Sequence, residues 1–180
     1  MKRTFWIISD THFGHRNMEL PDHGGRPPEF EKLIFDNLYK VVKQDVDVLI
    51  HLGDLSFGEK EPWTLRLREI CFDEIWLLRG NHDNKSLSWY LHEGWSFVGD
   101  ELLIEMFGKR ILLSHKPIKG DYFDLNIHGH LHSSTDSHRG EMINDGKHWL
   151  FSLEEQNYKP VNLQDIADQF PNPEKKHVAV

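Results

Sequence analysis

The stretch FWIISDTH, residues 5–12, indicates both the fold and the chemistry of this chain. Its apolar half has the pattern of a short buried β-strand. Asp10 and His12 follow directly, and both are side chains that bind divalent metal ions. In parallel α/β sheets, ligands gather outside the carboxyl ends of the strands. The stretch therefore predicts an α/β fold with a metal site at one sheet edge.

Four further blocks of metal-binding residues each follow an apolar run. They are Gly53-Asp54, Gly80-Asn81-His82-Asp83, Ser114-His115 and Gly129-His130-Leu131-His132. Together with the first block they supply carboxylate, imidazole and amide ligands, which suit manganese, iron or zinc, and no thiolate. An isolated Asp or Asn more often forms a turn. Five such blocks after predicted strands indicate a two-metal hydrolase.

Strand and helix patterns alternate through the first half of the chain. This alternation favours βαβ units and a largely parallel sheet. The predicted strands cover residues 5–9, 46–52 and 74–78, and the predicted helices cover residues 29–43, 62–71 and 86–92.

The second half of the chain has a different pattern. Gly108-Lys109 and Asp145-Gly146 are predicted as hairpin turns, the second between strands over residues 141–144 and 148–153. Residues 125–127 form another predicted strand, and Asn162 is predicted to cap a last helix that runs to Phe170.

Length and composition indicate one domain without a disulfide. The chain has 180 residues, for which one domain over residues 1–173 is expected, followed by a mobile tail over residues 174–180. Cys71 is the only cysteine, so an intrachain disulfide is excluded and a reducing compartment is expected. The apolar N-terminal stretch is too short for a signal peptide, and no stretch is long enough to span a membrane, so we expect a cytoplasmic protein.

The charge balance bears on the partners of the protein. The formal net charge is -8, from 21 basic and 29 acidic side chains. Two divalent cations would reduce it to -4 and make the site locally positive. An acidic chain without a basic stripe is a poor binder of duplex nucleic acid, so duplex binding is not expected.

Local spacing suggests how the blocks could form one site. Asp10 and His12 are two residues apart, as are His130 and His132, so an extended backbone would point each pair the same way. The glycines at 53, 80 and 129 would let the backbone turn sharply beside the ligands.

Two residues of the middle blocks have chemical roles that follow from their position. A carboxylate that touches both ions is needed to hold two metals about 4 Å apart, and Asp54 is the natural bridge. His82 is followed directly by Asp83, a candidate partner for orienting its ring. This pair fits a general acid that protonates a leaving oxygen.

The five blocks, read in order from Asp10 to His132, resemble the calcineurin-like metallophosphoesterase superfamily. The family pattern is D-x-H, G-D, G-N-H-D/E, a single H and G-H-x-H. The start, SDTHFGH at residues 9–15, and NYKPV at residues 157–161 are most similar to its small bacterial and phage branch. The resemblance implies a four-layer α-β-β-α sandwich, in which two packed sheets have helices on both outer sides.

The resemblance also implies the ligand sets of two divalent ions, with manganese ahead of iron, zinc or nickel. It implies that His82 contacts the phosphate and the leaving group, with Asp83 behind it and Asn81 stabilising the phosphoryl oxygens. The first ion would take Asp10, His12, Asp54 and His132, and the second Asp54, Asn81, His115 and His130.

One departure from a branch of the family concerns Phe57. Purple acid phosphatases have a tyrosine ligand three residues after the bridging aspartate and lack the histidine of D-x-H. This chain has Phe57 and His12 at those positions, so the tyrosinate–iron colour is not expected.

These observations predict a phosphoesterase in which a metal-bridging hydroxide attacks phosphorus in line. A phosphodiester is expected over a monoester, because a compact chain without an inserted cap leaves the site open. The expected partner is a small phosphoester or nucleotide, with His15 and Arg16 as candidate substrate contacts; the oligomeric state stays open. Two alternatives also stay open. One is a non-catalytic protein-interaction module on the same fold, as in a retromer subunit, and the other is a nucleoside pyrophosphate hydrolase.

Overall fold

A computed structural model describes residues 2–71, 74–132 and 145–172 of the chain. Two predictions therefore lie outside the described residues: the tail over residues 174–180 and the strand over residues 141–144. The assignment of residues 1–173 to a single domain stays a prediction.

Five short strands form the first sheet. They are β1 (Phe5–Ile8), β2 (Val48–His51), β3 (Ile75–Leu78), β4 (Phe97–Gly99) and β9 (Val161–Asn162). Their order is β4-β3-β2-β1-β9. The first four run parallel, and β9 adds an antiparallel edge beside β1. β1, β2 and β3 are largely buried, which explains why their sequences are continuous apolar runs rather than alternating ones.

In the part of the chain that the structure describes, four strands form the second sheet. They are β5 (Glu101–Met106), β6 (Lys109–Ser114), β7 (Leu125–His128) and β8 (His148–Leu150), in that order. β5 and β6 are an antiparallel hairpin, whereas β6, β7 and β8 run parallel. The exposed and half-buried residues of β5 alternate, as expected for an edge strand with one face toward solvent.

Four α-helices in the described residues accompany the sheets, and they confirm the predicted mixed α/β architecture. They are α1 (Phe30–Val41), α2 (Glu61–Ile70), α3 (Leu87–His92) and α4 (Leu163–Ala167). None of the helices in the part of the chain that the structure describes is both long and apolar enough to cross a membrane.

A continuous hydrophobic core joins the two sheets. Ile7 and Ile50 of the first sheet and Leu113 and Ile127 of the second belong to the same cluster of buried side chains. The inner helical residues, such as Leu38 of α1, join this cluster. The core thereby fixes the carboxyl ends of strands from both sheets, from which the ligand blocks continue.

Two local predictions are corrected, and two strands were missed. The first hairpin turn is Phe107-Gly108, one residue earlier than predicted, since Met106 pairs with Lys109. Phe107 has φ 54° and Gly108 has φ 75°, the left-handed pair that a two-residue turn needs. β4 and β9 were not predicted, because strands of three and two residues are too short to show a periodic pattern. α4 ends at Ala167, before the predicted Phe170, although Asn162 does cap it by accepting a hydrogen bond from Gln164 N–H at 2.9 Å.

The N-cap of α3 gives a test of the local structure. Ser86 Oγ accepts a hydrogen bond from Trp89 N–H at 3.1 Å. We expect Ser86→Ala to lower the free energy of unfolding by about 1 kcal/mol, because one backbone donor loses its partner. Ser86→Asp is the matched control, since it keeps an acceptor at the cap. Urea unfolding measures both, and equal losses in the two variants would contradict the capping role.

Candidate metal centre

The five ligand blocks lie in five loops, each of which follows the carboxyl end of a strand. Backbone hydrogen bonds tie these loops together: Asp10 N–H donates to Gly53 O at 2.9 Å and His12 N–H donates to Asp54 O at 3.0 Å. In the second sheet, Gly129 N–H donates to His115 O at 3.0 Å. Between the sheets, His130 N–H donates to Asp10 Oδ2 at 3.0 Å. The sheet edges therefore meet, as the sequence predicted.

Asp54 lies at the centre of the cluster. Its Oδ2 atom is 3.4 Å from His115 Nε2, 3.7 Å from His12 Nε2 and 4.0 Å from His82 Nε2. Its Oδ1 atom accepts a hydrogen bond from His82 N–H at 2.8 Å. Burial alone would raise the pKa of the Asp54 carboxyl, but His115 and the His82 amide outweigh it and lower this pKa strongly. Asp54 is thus a buried carboxylate with one oxygen facing three imidazoles.

The ligand atoms fall into overlapping groups. Within each group the candidate atoms lie within 4.8 Å of one another. Asn81 joins the group of Asp54, His115 and His130, because its Oδ1 atom is 3.1 Å from His115 Nε2. All seven predicted metal ligands thus lie in one cluster. The three groups are Asp10 with His12 and His132, His12 with Asp54 and His82, and Asp54 with His115 and His130.

The chemistry of the first group fits a divalent cation. His12 Nε2 and His132 Nε2 face each other at 3.2 Å. Burial, and then the nearby His132, lowers the pKa of His12 to about 2, so its ring is neutral and offers a lone pair. Asp10 Oδ1 is buried and has no hydrogen-bond partner among the residues that the structure describes. Converging lone pairs and a buried carboxylate oxygen are what a cation requires.

In the group of Asp54, His115 and His130, the tautomer of His115 is defined. His115 Nδ1 lies 2.9 Å from Leu52 O, a carbonyl that can only accept, so Nδ1 carries the hydrogen. When the ring is neutral, this tautomer leaves the lone pair on Nε2, the atom that faces Asp54 and Asn81. Although burial opposes it, the contact with Asp54 and the charge of Asp10 raise the pKa of His115 to about 8, so without a metal ion Nε2 holds a proton that a cation would displace.

The conformation of the ligand loops differs from the prediction. An extended backbone was expected to point Asp10 and His12 the same way, but these residues have φ 53° and 46°. Asp54, His130 and His132 have φ 54°, 72° and 46°. Five of the seven predicted ligands are therefore left-handed, a conformation that is costly for residues with a Cβ and is found mainly at functional sites.

Two of the three glycines serve close approach rather than turning. Gly53 has φ 102°, which agrees with the predicted sharp turn, but Gly80 and Gly129 are not left-handed. A Cβ on Gly80 would collide with Asp54 Oδ1, and one on Gly129 would collide with Ser9 Oγ and Asp10 Oδ2. Glycine is thus needed at positions 80 and 129, because the backbone there packs against the carboxylates of Asp54 and Asp10.

The role predicted for Asp83, orienting the ring of His82, is corrected by its contacts. Asp83 Oδ2 accepts hydrogen bonds from Asp54 N–H at 2.7 Å and Gly80 N–H at 2.9 Å, and its Oδ1 accepts one from Leu55 N–H at 3.2 Å. The carboxylate is buried and committed to the backbone. It joins the loops after β2 and β3, and acts on His82 only through that backbone.

The two candidate substrate residues differ in position. The ring of His15 is 6.1 Å from that of His12 and 4.2 Å from that of Phe57, nearly perpendicular to both. Arg16 is exposed at the start of the 3-10 helix Arg16–Glu19. No hydrogen bond or ring contact between described residues joins Arg16 to the cluster. His15 therefore lies beside the site, and the structure does not bring Arg16 into it.

Sequence reasoning missed a buried ion pair beneath the site. The Arg26 side chain is fully buried, and its two terminal nitrogens donate to Asp10 O and Thr11 O, each at 2.7 Å. Its Nε donates to Glu154 Oε1 at 2.8 Å. Glu154 Oε1 in turn lies 3.9 Å from His132 Nδ1.

This ion pair supports predicted ligands from two blocks. Arg26 holds the left-handed Asp10 loop by its carbonyls, and Glu154 faces the far nitrogen of His132. Burial alone would raise the pKa of Glu154, but His132 and Arg26 lower it to about 2, so it carries a charge. The two residues are 128 positions apart, and neither stands in a recognisable motif, so no local signal could have found them.

Comparison with known proteins agrees with this geometry. Residues 4–152 match the model of the calcineurin-like phosphoesterase superfamily domain. An uncharacterized protein of Methanocaldococcus jannaschii is 32% identical over 177 residues, covering 92% of this chain and 90% of that protein.

Two solved structures are similar over most of their length. A protein of unknown function from Aquifex aeolicus is 30% identical, with a TM-score of 0.72, over 94% of this chain and 100% of that one. An archaeal phosphodiesterase is 18% identical, with a TM-score of 0.50, over 89% and 99%, a likeness that concerns the fold alone. The bacterial and phage branch stays a prediction.

The ion pair under the site gives a second test. Arg26→Met leaves Glu154 charged without its partner and frees two carbonyls, so we expect a loss of about 3 kcal/mol in the free energy of unfolding. Glu154→Gln keeps an acceptor for Arg26 but loses the charge that faces His132. We expect it to lower Mn²⁺ affinity at least about tenfold with a smaller loss of stability.

Urea unfolding of metal-free protein and calorimetric titration with Mn²⁺ measure the two effects. Arg110→Met is the control, because Arg110 pairs with Asp124 at the surface, away from the cluster. Wild-type stability in Arg26→Met together with wild-type Mn²⁺ affinity in Glu154→Gln would contradict the supporting role.

Proposed function

The chain belongs to the calcineurin-like phosphoesterase superfamily, and we propose that it is a dinuclear metal-dependent phosphodiesterase. The observation that carries the proposal is the position of Asp54. One oxygen of this buried carboxylate lies 3.4 Å from His115 Nε2 and 3.7 Å from His12 Nε2, which belong to different ligand groups. A carboxylate oxygen in this position suits a bridge between two ions.

The ligand groups support two neighbouring metal positions that share Asp54. When bound, divalent ions there would polarise phosphoryl oxygens and activate water at neutral pH. Manganese is our proposal for the native metal, with iron, zinc or nickel as the alternatives. The first position would take Asp10, His12, Asp54 and His132, and the second would take Asp54, Asn81, His115 and His130.

His82 and Asn81 supply the remaining chemistry. The backbone of His82 is fixed by Asp54, while its side chain is 39% exposed and can reach a bound ester. Its imidazole donates a proton to the leaving oxygen, and the amide of Asn81 hydrogen-bonds a phosphoryl oxygen as charge builds there. Water attacks phosphorus in line, without a covalent enzyme intermediate.

A recess beside Asn81 and His115 supports a diester as substrate. It has a volume of about 220 Å³ and adjoins Asn81 and His115. A monoester carries only a leaving group, whereas a diester also carries a group that stays on phosphorus and needs room. The recess offers that room. Its other lining residues are Arg79, Gly80, Asp100, Ser114, Lys116 and Ile118.

The first test is metal-dependent hydrolysis of bis(p-nitrophenyl) phosphate by metal-stripped protein after addition of Mn²⁺. We expect Asp54→Asn to lose turnover at least about 100-fold, because the shared ligand loses its charge. We expect His82→Ala to lose about 100-fold on methyl phenyl phosphate, whose leaving oxygen needs a proton, and much less on the nitrophenyl ester, whose leaving group departs as the anion. His92→Ala is the control, since His92 is an exposed histidine of α3.

The outcomes separate the proposal from its alternatives. Two bound metals without hydrolysis of any phosphoester would favour a non-catalytic interaction module. Turnover of dinucleoside pyrophosphates without turnover of diesters would favour a nucleoside pyrophosphate hydrolase. Wild-type turnover in Asp54→Asn would contradict the two-metal mechanism.

The recess yields a separate prediction on the ester class. Ile118→Trp fills it, so we expect kcat/KM for bis(p-nitrophenyl) phosphate to fall about tenfold, equivalent to ~1.4 kcal/mol of binding. The value for p-nitrophenyl phosphate should change less than about twofold, because a monoester leaves the recess empty. Ile118→Ala enlarges the recess and serves as the matched control. Equal losses on both esters in Ile118→Trp would show that the recess does not hold the substituent that stays on phosphorus.

A further inference from the structure

We propose that Phe57 and His15 form a subsite for a planar aromatic ring in the leaving group of the substrate. The proposal rests on the phosphodiesterase function and specifies which part of the ester this surface recognises. Phe57 is 51% exposed, although Leu55 and Ser56 before it are fully buried. A large apolar ring is thus held in solvent by a segment that is otherwise part of the core.

The backbone around Phe57 is fixed by hydrogen bonds. Phe13 N–H donates to Leu55 O at 3.0 Å, and Phe57 N–H donates to Phe13 O at 2.9 Å. The buried Lys60 Nζ also donates to Ser56 O, at 2.8 Å. Contacts on both sides of the segment therefore fix where Phe57 stands.

The ring of Phe57 lies between the candidate proton donor and a candidate substrate contact. It is 5.8 Å from the ring of His82, and it meets His15 nearly edge to face at 4.2 Å, with 72° between the planes. His15 is also close to His12, a predicted metal ligand. An exposed aromatic surface thus begins within one ring's width of the group that protonates the leaving oxygen.

This placement determines which ring can bind. A leaving oxygen near His82 carries its substituent toward Phe57, where a flat ring can stack or meet the phenyl ring edge to face. An aliphatic substituent of equal size would gain contact area but not the aromatic geometry. Scattered exposed apolar residues are normal on protein surfaces. Phe57 differs because it is fixed and adjoins the candidate catalytic histidine.

The test compares esters whose leaving groups are six-carbon rings, one aromatic and one saturated, which also differ in intrinsic reactivity. Methyl phenyl phosphate and methyl cyclohexyl phosphate are hydrolysed by the metal-loaded full chain, and the ratio of wild-type to variant kcat/KM is taken for each ester. Intrinsic reactivity cancels in this ratio. For Phe57→Leu, which keeps an apolar side chain, we expect about a fivefold to tenfold loss on the phenyl ester and less than twofold on the cyclohexyl ester.

Control variants separate ring recognition from damage to the loop. Phe57→Tyr should keep wild-type kcat/KM on both esters, because it keeps the ring. Leu103→Ala should do the same, since Leu103 is a comparably exposed residue on the edge strand β5. Equal losses on both esters in Phe57→Leu, or no loss on either, would overturn the proposal.

A binding measurement keeps this inference separate from the proposed activity. Benzylphosphonate and cyclohexylmethylphosphonate have P–C bonds that resist hydrolysis, and their affinity for metal-loaded protein is measured by calorimetry. A preference of wild type for the aryl phosphonate, lost in Phe57→Leu, would support the subsite even if no ester were turned over, in which case only the phosphodiesterase proposal fails. The absence of such a preference in wild type would overturn the subsite.

The origin of the ring, an aryl ester or a nucleobase, is distinguished with a thymidine dinucleotide. A loss of turnover of the dinucleotide in Phe57→Leu that matches the loss on the phenyl ester identifies a nucleobase as a ligand of this surface. A loss confined to the phenyl ester identifies a ring close to phosphorus, as in aryl esters. Both results support recognition of an aromatic ring.

Discussion

The cluster depends above all on how Asp54 is held. Its amide donates to Asp83, its carbonyl accepts from His12, and its Oδ1 accepts from His82, so three loops are joined through one residue. These bonds leave Oδ2 directed at the histidine nitrogens. Because burial makes an unpartnered carboxylate costly, the surrounding loops must supply donors and close packing, and this requirement accounts for glycine at position 80.

Much of the fold, and the gathering of the candidate ligands in one cluster, could be predicted from the sequence, because both follow local rules. Buried parallel strands appear as apolar runs, and the candidate metal ligands follow their carboxyl ends, so the sequence predicts that Asp10, Asp54 and Asn81 lie close together. The family resemblance extended this to the second sheet. It also covered His115, which alone would have passed for an ordinary loop histidine before Lys116-Pro117.

The remaining features depend on tertiary contacts that leave no local pattern. Arg26 and Glu154 meet across most of the chain, and each alone reads as a surface charge. Asp83 follows His82 in sequence, yet its carboxylate faces the backbone, because three backbone amides donate hydrogen bonds to it. The left-handed ligand residues contradict the extended backbone that their spacing of two suggested, because packing against a neighbouring loop overrides local preference.

The left-handed ligand loops have a consequence for how ions would enter. Contacts within the protein, such as those from Arg26 to Asp10 O and Thr11 O, hold these backbones in their unfavourable conformation. The free-energy cost of the strained backbone therefore falls on folding and not on ion binding. A site preorganised in this way needs little rearrangement to accept a cation, so one divalent ion can replace another without refolding the loops, and the ions available in the cell would then help to decide which metal occupies it.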